Sequence, residues 1–505
     1  MTERKNFDSE FCGRVPLQHI NLIQSYGYLL VVDRDDTIIQ ASENCAELLG
    51  KKINEIVNTK LAQYIAGQSA VELQAVAGKG ITDRVPFNLR LQNGAQVQAL
   101  LHFKKDYLIL EAELTSKEEE RYFTSVFQDI KHSIAAIEQA ATVQEVCEVA
   151  ISELKKISGF DGVLMYQFDK DWNGTVIAEI KDKRLDPYMG QTFPASDIPR
   201  QARELYLKNP YRLIPNREYT PVRLFPVINP VTNSFIDLSD CNLRSVPAVH
   251  LEYMGNMGIK ASMSIRVIRN GQLWGLISCH NIEAVDLSLE TCSIFELLSS
   301  VISNKISSIL NKHDFDYASS LQGKKNLLIE QVYAKEDMVQ GVIEAAGENL
   351  MTVFDAGGAA VMFNGQLETI GKTPEADSIE NILLWLEGKK IDRIFSSNCL
   401  SGIYEEAAAY ADVGSGLLAI PIDAAKGEYM LCFRPEVIET INWGGDPNNA
   451  ITFEPDGKNY HPRNSFKLWQ QQVKNNSKPW HSEELTVAES LRSFLFEFKT
   501  RQMFN

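Results

Sequence analysis

The sequence LRSVPAVHLEYMGNMG, which runs from Leu243 to Gly258, combines an arginine, a histidine and a tyrosine within sixteen residues, with the histidine ahead of a predicted helix. A histidine in this position is by itself more often structural than functional. Two other short segments give it a context, because Pro194–Pro199 has the sequence PASDIP and Pro462–Phe466 has the sequence PRNSF. Each segment alone is a weak signal, whereas their order along one chain is specific.

A cysteine, Cys12, lies in the polar leader ahead of the first predicted strand, in the segment CGRVPLQHI that ends at Ile20. A thiolate can add to a vinyl group and form a stable thioether, and a flexible leader can leave its thiol exposed. On composition alone, an incidental cysteine is the more common explanation. Cys12 therefore gains meaning only from the segments downstream of it.

The bulk composition bounds the class of protein. The chain has 505 residues, which suggests about three domains, and its net charge of -16 argues against a general nucleic-acid-binding surface. Its eight cysteines form no Cys-x-x-Cys pair, so neither a zinc ribbon nor a redox motif is indicated. With no apolar run of membrane-spanning length and no secretory signal, we expect a cytoplasmic protein with reduced thiols.

Residues 1–118 have the pattern of a small mixed sheet. The turn Asn93-Gly94 suits a hairpin, and Gly50 ends a short helix that begins near Asn44. The alternation of apolar and polar residues predicts strands at Tyr28–Asp33, Thr37–Ala41, Phe87–Leu91, Val97–Leu101 and Tyr107–Leu114.

Residues 119–312 begin with helical patterns and continue with strands. Four strands are predicted, at Gly162–Phe168, Thr175–Ile180, Ala261–Ile268 and Leu273–His280. The segment Pro210–Asn242 is rich in Pro, Asn and Asp and predicts a long irregular loop. A loop of this length inside a compact domain is usually functional.

The rest of the chain begins with a long helix, predicted from Leu287 to Tyr333, which has an apolar stripe. This stripe can pack against its own domain, or it can belong to a helical spine through which two chains also dimerise. The sequence does not decide between these alternatives. Residues 313–505 repeat the order of strands and helices. Within them, Asn442–Ser482 carries the triplet Trp443-Gly444-Gly445 and shows no clear regular element, which again indicates a functional loop.

Taken together, Cys12, PASDIP, the segment around His250 and PRNSF resemble the photosensory half of a bacteriophytochrome. The resemblance implies an α+β fold of three tandem domains, PAS (1–118), GAF (119–312) and PHY (313–505). Each would have a central antiparallel sheet flanked by helices, and a long helical spine would join them. It also implies a figure-of-eight knot in which the leader, around Leu22 and Ile23, passes through the long GAF loop.

The same resemblance implies a cofactor, biliverdin IXα, attached through a thioether to Cys12. Plant and cyanobacterial relatives use a cysteine immediately before the GAF histidine, and Val249 occupies that position here. The match therefore favours biliverdin over phytochromobilin or phycocyanobilin. One departure is the sequence IQSYG at Ile23–Gly27, where the family usually has IQPHG; we expect the following strand to survive, because Gly27 is retained.

The resemblance also assigns roles in the pocket. Arg212 and Arg244 would bind the two propionates, and His250 would lie beside the inner pyrrole rings. Asp197 would pair with Tyr253 or Arg463, depending on the state of the chromophore. Arg463 belongs to a tongue at about 442–482, which would change between hairpin and helix. The complete predicted cofactor-binding set is Cys12, Tyr166, Phe193, Asp197, Ile198, Pro199, Tyr206, Arg212, Arg244, His250, Tyr253, Ser262, Ser264 and His280, with Arg463 and Ser465 as switch contacts and no metal ligand.

Two points stay open at the level of the residues. Asp197 can instead be a simple helix cap, since Pro199 follows it. A two-residue turn at Asn270-Gly271 puts His280 on the face opposite Ser262, whereas a shift of one residue in register puts both on the same face.

The function implied is that of a red/far-red photoreceptor, switched by light-driven isomerisation of the bilin. We expect a homodimer that controls an output histidine kinase or response regulator in two-component signalling. The chain itself shows no phosphoacceptor box or ATP-binding motif, so we expect no catalysis from it, whereas the full-length protein would be a sensor kinase. The alternatives are a GAF sensor for another small ligand, a bilin protein that does not photoconvert, and an enzyme using Cys12 with His250 or His280.

Overall fold

The computed structural model describes residues 17–77, 84–114, 123–344, 346–447, 451–453 and 460–504. Its contacts divide the chain into two compact units. The first consists of Met1–Ile309 and Asn442–Trp469, and the second of Leu310–Ile441 and Gln470–Asn505. Cys12 lies outside the described residues. No described helix is long and apolar enough to cross a membrane.

The first unit contains a seven-stranded antiparallel sheet, as predicted for a PAS-type domain. Its strands, in spatial order, are Leu22–Ile23, Val222–Phe225, Ile38–Ser42, Tyr28–Asp33, Tyr107–Leu114, Gln96–Phe103 and Val85–Arg90. One face packs on the helices Cys45–Leu49, Ile53–Ile56 and Gly67–Ala77 around an apolar core. The other face is covered by apolar residues of the 222–243 segment, among them Leu224, Ile236 and Leu238.

A second sheet in this unit corresponds to the predicted GAF domain. Its strands follow the order Tyr211–Ile214, Ala261–Arg269, Gln272–Asn281, Gly162–Phe168, Gly174–Lys181 and Thr192–Phe193, and Trp443 pairs in parallel with Thr192. The helices of this region are Phe123–Gln139, Val143–Ser158, Arg200–Lys208 and Ala248–Asn256. Val143–Ser158 begins with a capping box between Thr142 and Glu145 and ends at the left-handed Gly159.

The prediction of one irregular loop over Pro210–Asn242 was wrong. Two strands, Tyr211–Ile214 and Val222–Phe225, lie inside it, and each pairs with the edge of a sheet built elsewhere in the chain. The second strand also pairs with Leu22–Ile23 of the leader. On its other side the leader is bonded to the end of the loop, from the Gln24 amide to the Leu243 carbonyl at 2.7 Å and from the Ser245 amide to the Leu22 carbonyl at 3.0 Å.

The leader therefore lies between two stretches of the same loop. This arrangement suits the figure-of-eight knot, which stays a prediction. Gly27 follows directly, and a Cβ atom there would lie 2.6 Å from a methyl group of Leu243 and 2.9 Å from the carbonyl oxygen of Ala112. The close approach gives a physical reason for glycine at this point, and the strand Tyr28–Asp33 begins immediately after it.

The register of the Ala261–Arg269 and Gln272–Asn281 hairpin resolves the placement of His280. Asn270 and Gly271 both have positive φ, as a tight hairpin turn requires, but the pairing shifts between Val267 and Ile268. As a result Ser262 lies directly opposite His280, on the same face. The simple hairpin, which separates them, was the wrong alternative.

The second unit contains a five-stranded antiparallel sheet, ordered Gln366–Gly371, Gly358–Phe363, Glu428–Arg434, Gly416–Asp423 and Phe395–Ser397. Its described helices include Met338–Ile343, Leu350–Phe354, Ala376–Gly388 and Ser482–Phe504. A buried ion pair of 2.6 Å between Arg434 and Glu484 ties the last helix to a central strand. The long predicted helix is confirmed as Leu289–Lys335, which runs through the end of the first unit into the second.

The segment Asn442–Ser482 is more regular than its sequence indicated. It contributes to the strands Glu439–Gly444 and Leu468–Val473, and Ile451–Phe453 pairs antiparallel with Tyr460–Pro462. The prediction of a segment without regular elements was wrong, because these strands have only three to six residues and are specified by their partners more than by their own sequence.

Substitution of Gly275 by alanine should destabilise the first unit. A Cβ atom at this position would lie 2.2 Å from the backbone carbonyl oxygen of Tyr166 on the neighbouring strand, so the strands must separate. We expect a loss of about 2 kcal/mol or more in the free energy of unfolding, measured by urea denaturation. Gly67→Ala is the control, since a Cβ at Gly67 meets no atom within 4 Å. Equal stability of the two variants would contradict the contact.

Candidate functional site

A cavity of about 260 Å³ opens in the first unit beside the strand Ala261–Arg269 and the helices Arg200–Lys208 and Ala248–Asn256. Every predicted cofactor-binding residue within the described part of the chain lines it. These residues are Tyr166, Phe193, Asp197, Ile198, Pro199, Tyr206, Arg212, Arg244, His250, Tyr253, Ser262, Ser264 and His280. The topology thus brings together side chains that are far apart in sequence.

Two arginines make part of the cavity wall cationic. Arg212 donates to the carbonyl oxygens of Asn242 and Arg244, and Arg244 donates to the carbonyl oxygen of Leu17 at 3.1 Å. Burial and the neighbouring Arg212 charge lower the pKa of Arg244 to about 9, and burial lowers the pKa of Arg212. Among the described residues neither guanidinium bonds to a carboxylate, so this wall is built to attract an anionic group.

Small hydroxyl groups lie beside the arginines. Ser264 lies opposite Arg212 in the strand pairing, and Ser262 lies opposite both Ile214 and His280. The hydroxyl of Tyr206 is buried against Ser264, and burial raises its pKa above the ordinary value. These groups can orient a carboxylate without adding a competing negative charge.

Two histidines line another part of the wall and are held neutral. His280 is buried, and burial, with His250, lowers its pKa to about 4. His250 is open to solvent, and desolvation by the surrounding protein, with the charge of Arg212, lowers its pKa. Nε2 of His280 lies 2.9 Å from the Ser278 hydroxyl, and the His250 ring lies parallel to the Tyr253 ring at 6.0 Å. Each neutral imidazole can donate a hydrogen bond from one ring nitrogen and accept one at the other.

Aromatic side chains enclose the cavity near the Phe193 ring. Tyr166 and Tyr188 each meet Phe193 edge to face, with ring centroids 5.6 Å apart in both pairs. Leu17, Met257 and Pro462 also line the cavity and were not predicted from the sequence, whereas Tyr188 packs behind Phe193 outside the lining. These three residues belong to segments that the sequence analysis singled out, so their motifs could have identified them.

Asp197 does not cap the helix that follows it. It ends a short 3-10 turn, Ala195–Asp197, and the helix begins after Pro199 without a side-chain cap. The capping alternative was therefore wrong. Its carboxylate instead accepts a hydrogen bond of 2.8 Å from the Tyr253 hydroxyl and a second bond from the guanidinium of Arg463.

The Asp197–Arg463 pair is almost fully buried, with 6% and 3% of the two side chains exposed. Burial raises the pKa of Asp197, while the charge of Arg463 and the Tyr253 hydroxyl oppose that rise. Burial lowers the pKa of Arg463, but the charge of Asp197 outweighs it and leaves this pKa raised. The pair therefore favours a charged guanidinium whose charge is compensated by a single carboxylate.

The surroundings of Arg463 hold it in place. Its guanidinium lies 5.2 Å from the Phe193 ring centre and 5.0 Å from that of Phe466, and its carbonyl oxygen accepts a bond from Asn256. Gly445 has a φ of 104°, and a Cβ there would lie 2.4 Å from the Ser465 carbonyl oxygen. Ser465 itself is exposed and outside the cavity lining, so its switch role stays a prediction.

Comparison with protein families divides the chain into three matches. A PAS fold matches residues 12–115, a GAF domain matches residues 142–306, and the phytochrome region matches residues 321–503. The boundaries at residues 118 and 312 remain proposals of the sequence analysis.

Two curated relatives cover almost the whole chain. Cyanobacterial phytochrome B of Nostoc sp. is 35% identical over 492 residues, which make up 96% of this chain and 65% of that protein. A bacteriophytochrome of Xanthomonas campestris pv. campestris is 30% identical over 515 residues, covering 100% of this chain and 80% of that protein. The chain thus spans about two thirds of the length of several curated relatives, including a bacteriophytochrome of Pseudomonas aeruginosa, of which it covers 66%.

Two solved structures have a similar fold. A bacteriophytochrome from the photosynthetic bacterium R. palustris gives a TM-score of 0.84 at 35% identity and covers 97% of this chain and 99% of that chain. The phytochrome photosensory core module of Stigmatella aurantiaca gives 0.83 at 32% identity, covering 97% and 98%.

The stability of the ligand-free protein should fall as the pH decreases from about 6.5 to about 4 because of His280, which is only 6% exposed. In this range the unfolded chain binds a proton at this imidazole and the folded chain does not, so the stability is present above the unfolded pKa and is lost below it. The loss reaches on the order of 3 kcal/mol at the lower end. His280→Gln should flatten the profile measured by urea denaturation, whereas His313→Gln, on an exposed helix face, should leave it unchanged. Identical slopes for wild type and His280→Gln would contradict the buried neutral imidazole.

Substitution of Arg463 by methionine should release the segment Asn442–Trp469. It leaves the buried Asp197 carboxylate without its counter-ion, and removing one partner of such a pair costs about 3–5 kcal/mol. We expect faster proteolysis of the segment and loss of amide protection there, with partial recovery in the double variant Asp197→Asn/Arg463→Met. Lys467→Met, which removes an exposed cation from the same segment, is the control. A single variant no more sensitive than this control would argue against the pair.

Proposed function

This chain belongs to the phytochrome family, as the photosensory core of a red/far-red photoreceptor of the bacteriophytochrome type, and we propose that its cavity holds biliverdin attached covalently to Cys12. A bilin chromophore is what this family implies, and biliverdin is the specific proposal. The complete protein would control a histidine kinase or response regulator as a cytoplasmic homodimer.

The pair of buried arginines carries this proposal. Arg212 and Arg244 bring two positive charges into one cavity, and no described carboxylate is bonded to either of them. The burial of like charges is unfavourable unless a ligand compensates them, and a planar guanidinium suits a carboxylate. Biliverdin has two propionate groups, so its charge matches the unpaired charge of this cavity.

The other residues then have separate tasks. Ser262, Ser264 and Tyr206 would orient the carboxylate side, and the neutral His250 would lie beside the inner pyrrole rings and form hydrogen bonds that tune their protonation. His280 would contact the outermost ring, for which it lies on the same face as Ser262. When bound, the bilin supplies the absorption of red light and a double bond that isomerises.

Two observations support an attachment site in the leader, which the family resemblance implies. Val249 lines the cavity but has no thiol, and no described cysteine lines it. Leu17 does line the cavity, and Cys12 precedes it by five residues, which can span about 18 Å when extended. Cys12 can therefore reach the cavity, as the family resemblance requires.

The signal would pass through the Asp197–Arg463 pair. Asp197 contacts the cavity and Arg463 belongs to the segment Asn442–Trp469, so a change at the cavity wall that weakens this pair also weakens the attachment of the segment. A buried ion pair has no stable half-broken state, because a separated charge must find another partner or water. This is the property that a two-state switch needs.

The first test is an absorption spectrum of the chain mixed with biliverdin, before and after red and far-red illumination. We expect a red band that shifts reversibly, and pigment that survives denaturation in wild type and in Cys399→Ala, a control at a partly exposed thiol. Cys12→Ala should keep the band and lose the denaturation-resistant pigment. The dimethyl ester of biliverdin should bind at least tenfold more weakly, because it cannot compensate Arg212 and Arg244.

Each other result has a distinct meaning. No band with biliverdin would leave a GAF sensor for another ligand as the better account. A band that light does not shift would show that the chain binds the pigment but does not photoconvert. Covalent pigment that persists in Cys12→Ala would move the attachment to another thiol, and equal binding of the ester would contradict the role of the arginines.

A further inference from the structure

A second cluster of polar side chains is buried between the first sheet and the loop that covers it, outside the cavity. His102 lies on the strand Gln96–Phe103, and Asp240 and Cys241 are adjacent residues of the loop. A ring nitrogen, a carboxylate oxygen and the sulfur of these three residues lie within 4.8 Å of one another. Nδ1 of His102 is 3.7 Å from the nearer oxygen of Asp240, a separation suited to two ligands of one ion.

The orientation of His102 is fixed by its other ring nitrogen. Nε2 lies 2.7 Å from a carboxylate oxygen of Glu111, and the side chain is fully buried. Within the described ranges Nδ1 has no partner at normal hydrogen-bond distance, and its nearest partner is the Asp240 carboxylate at 3.7 Å. This long contact leaves the bonding capacity of a buried ring nitrogen, next to a carboxylate and a thiol, only partly satisfied, and a metal ion in place of its proton would satisfy it.

We propose that His102 Nδ1, the Asp240 carboxylate and the Cys241 sulfur form a binding site for a divalent transition-metal ion of the zinc class. Imidazole, thiolate and carboxylate are the ligand types that Zn²⁺ takes in tetrahedral sites, with water or a carbonyl oxygen at the fourth position. Glu111 would hold the second nitrogen of the imidazole, as carboxylates commonly do behind metal-bound histidines.

The charges balance with and without the ion. Lys104 donates to both oxygens of Asp240, at 2.8 and 2.7 Å, and can keep one of them while the other turns to the metal. Coordination replaces a proton on His102 and the thiol proton of Cys241, so two protons leave for each divalent ion and the net charge of the cluster is unchanged. No oxidant or reductant is needed.

An ion at this site would cross-link two parts of the chain that are distant in sequence. It would join the sheet strand Gln96–Phe103 to the loop at a point three residues before Arg244, whose guanidinium lines the cavity. The same loop is bonded to the leader through Leu243. Metal binding would therefore stabilise the wall of the cavity without entering it.

The test uses Co²⁺ as a probe on the complete chain after treatment with a chelator and before biliverdin is added, because a free bilin also binds metals. We expect one Co²⁺ per chain, with a near-ultraviolet band from thiolate to cobalt that Zn²⁺ abolishes. Cys241→Ser and His102→Gln should lose the band, and Cys279→Ser, at another buried thiol of the same unit, should keep it. Glu111→Gln should weaken Co²⁺ binding by about 10–100-fold.

Subsequent uptake of biliverdin shows whether each variant is folded. If Cys241→Ser does not fold, Asp240→Asn replaces it in the test. A folded wild-type chain without the thiolate band would overturn the site and leave an imidazolium held between Glu111 and Asp240. A band of equal strength in folded Cys241→Ser or Asp240→Asn would overturn it as well, since the ion would then be bound at another thiol or as an adventitious ion only.

Discussion

The buried ion pair between Asp197 and Arg463 organises the site more than any other interaction. It joins positions 266 residues apart, and its charges are isolated from solvent by the aromatic rings of Phe193 and Phe466. Its environment leaves few alternatives, because Tyr253 is the one other side chain in the described part of the chain that donates to the carboxylate. Gly444 and Gly445 let the backbone approach closely enough for the pair to form, since a Cβ at Gly444 would lie 2.7 Å from the Phe193 ring. A pair so confined is either made or broken.

The cavity divides into a cationic part and a neutral part, and burial produces both by the same physics. Desolvation disfavours every charge, but a guanidinium keeps its proton even when its pKa falls to about 9, as that of Arg244 does, whereas the imidazoles of His250 and His280 lose theirs. The result is a wall whose charge suits carboxylates beside a wall of neutral imidazoles that can donate and accept hydrogen bonds. A ligand with two carboxylates and a protonatable conjugated system is complementary to both parts, and a bilin has these properties.

Much of this arrangement could be predicted from the sequence, because the segments PASDIP and LRSVPAVHLEY each bring several wall residues together, and PRNSF supplies Pro462 and the partner of Asp197. The parts that could not be predicted depend on pairing between distant strands. The shift between Val267 and Ile268 that turns His280 toward Ser262 has no sequence marker, and Val222–Phe225 is a strand only because the leader and the first sheet offer it partners. The cluster at His102 could not be predicted for the same reason. Its members come from two distant regions of the chain, and their spacing in the sequence matches no metal-binding motif.

The departure from the family pattern at Ile23–Gly27 can be argued in these terms. A proline in the leader would restrict the backbone before folding, and Ser25 does not. The buried side chain of Gln24 supplies a restraint after folding, because its amide donates to the carbonyl oxygens of Leu213 and Asn242, each at 3.0 Å. The leader is thus fastened by hydrogen bonds on both sides and by the close approach at Gly27, so the position of the cavity wall at Leu17 does not depend on the missing proline.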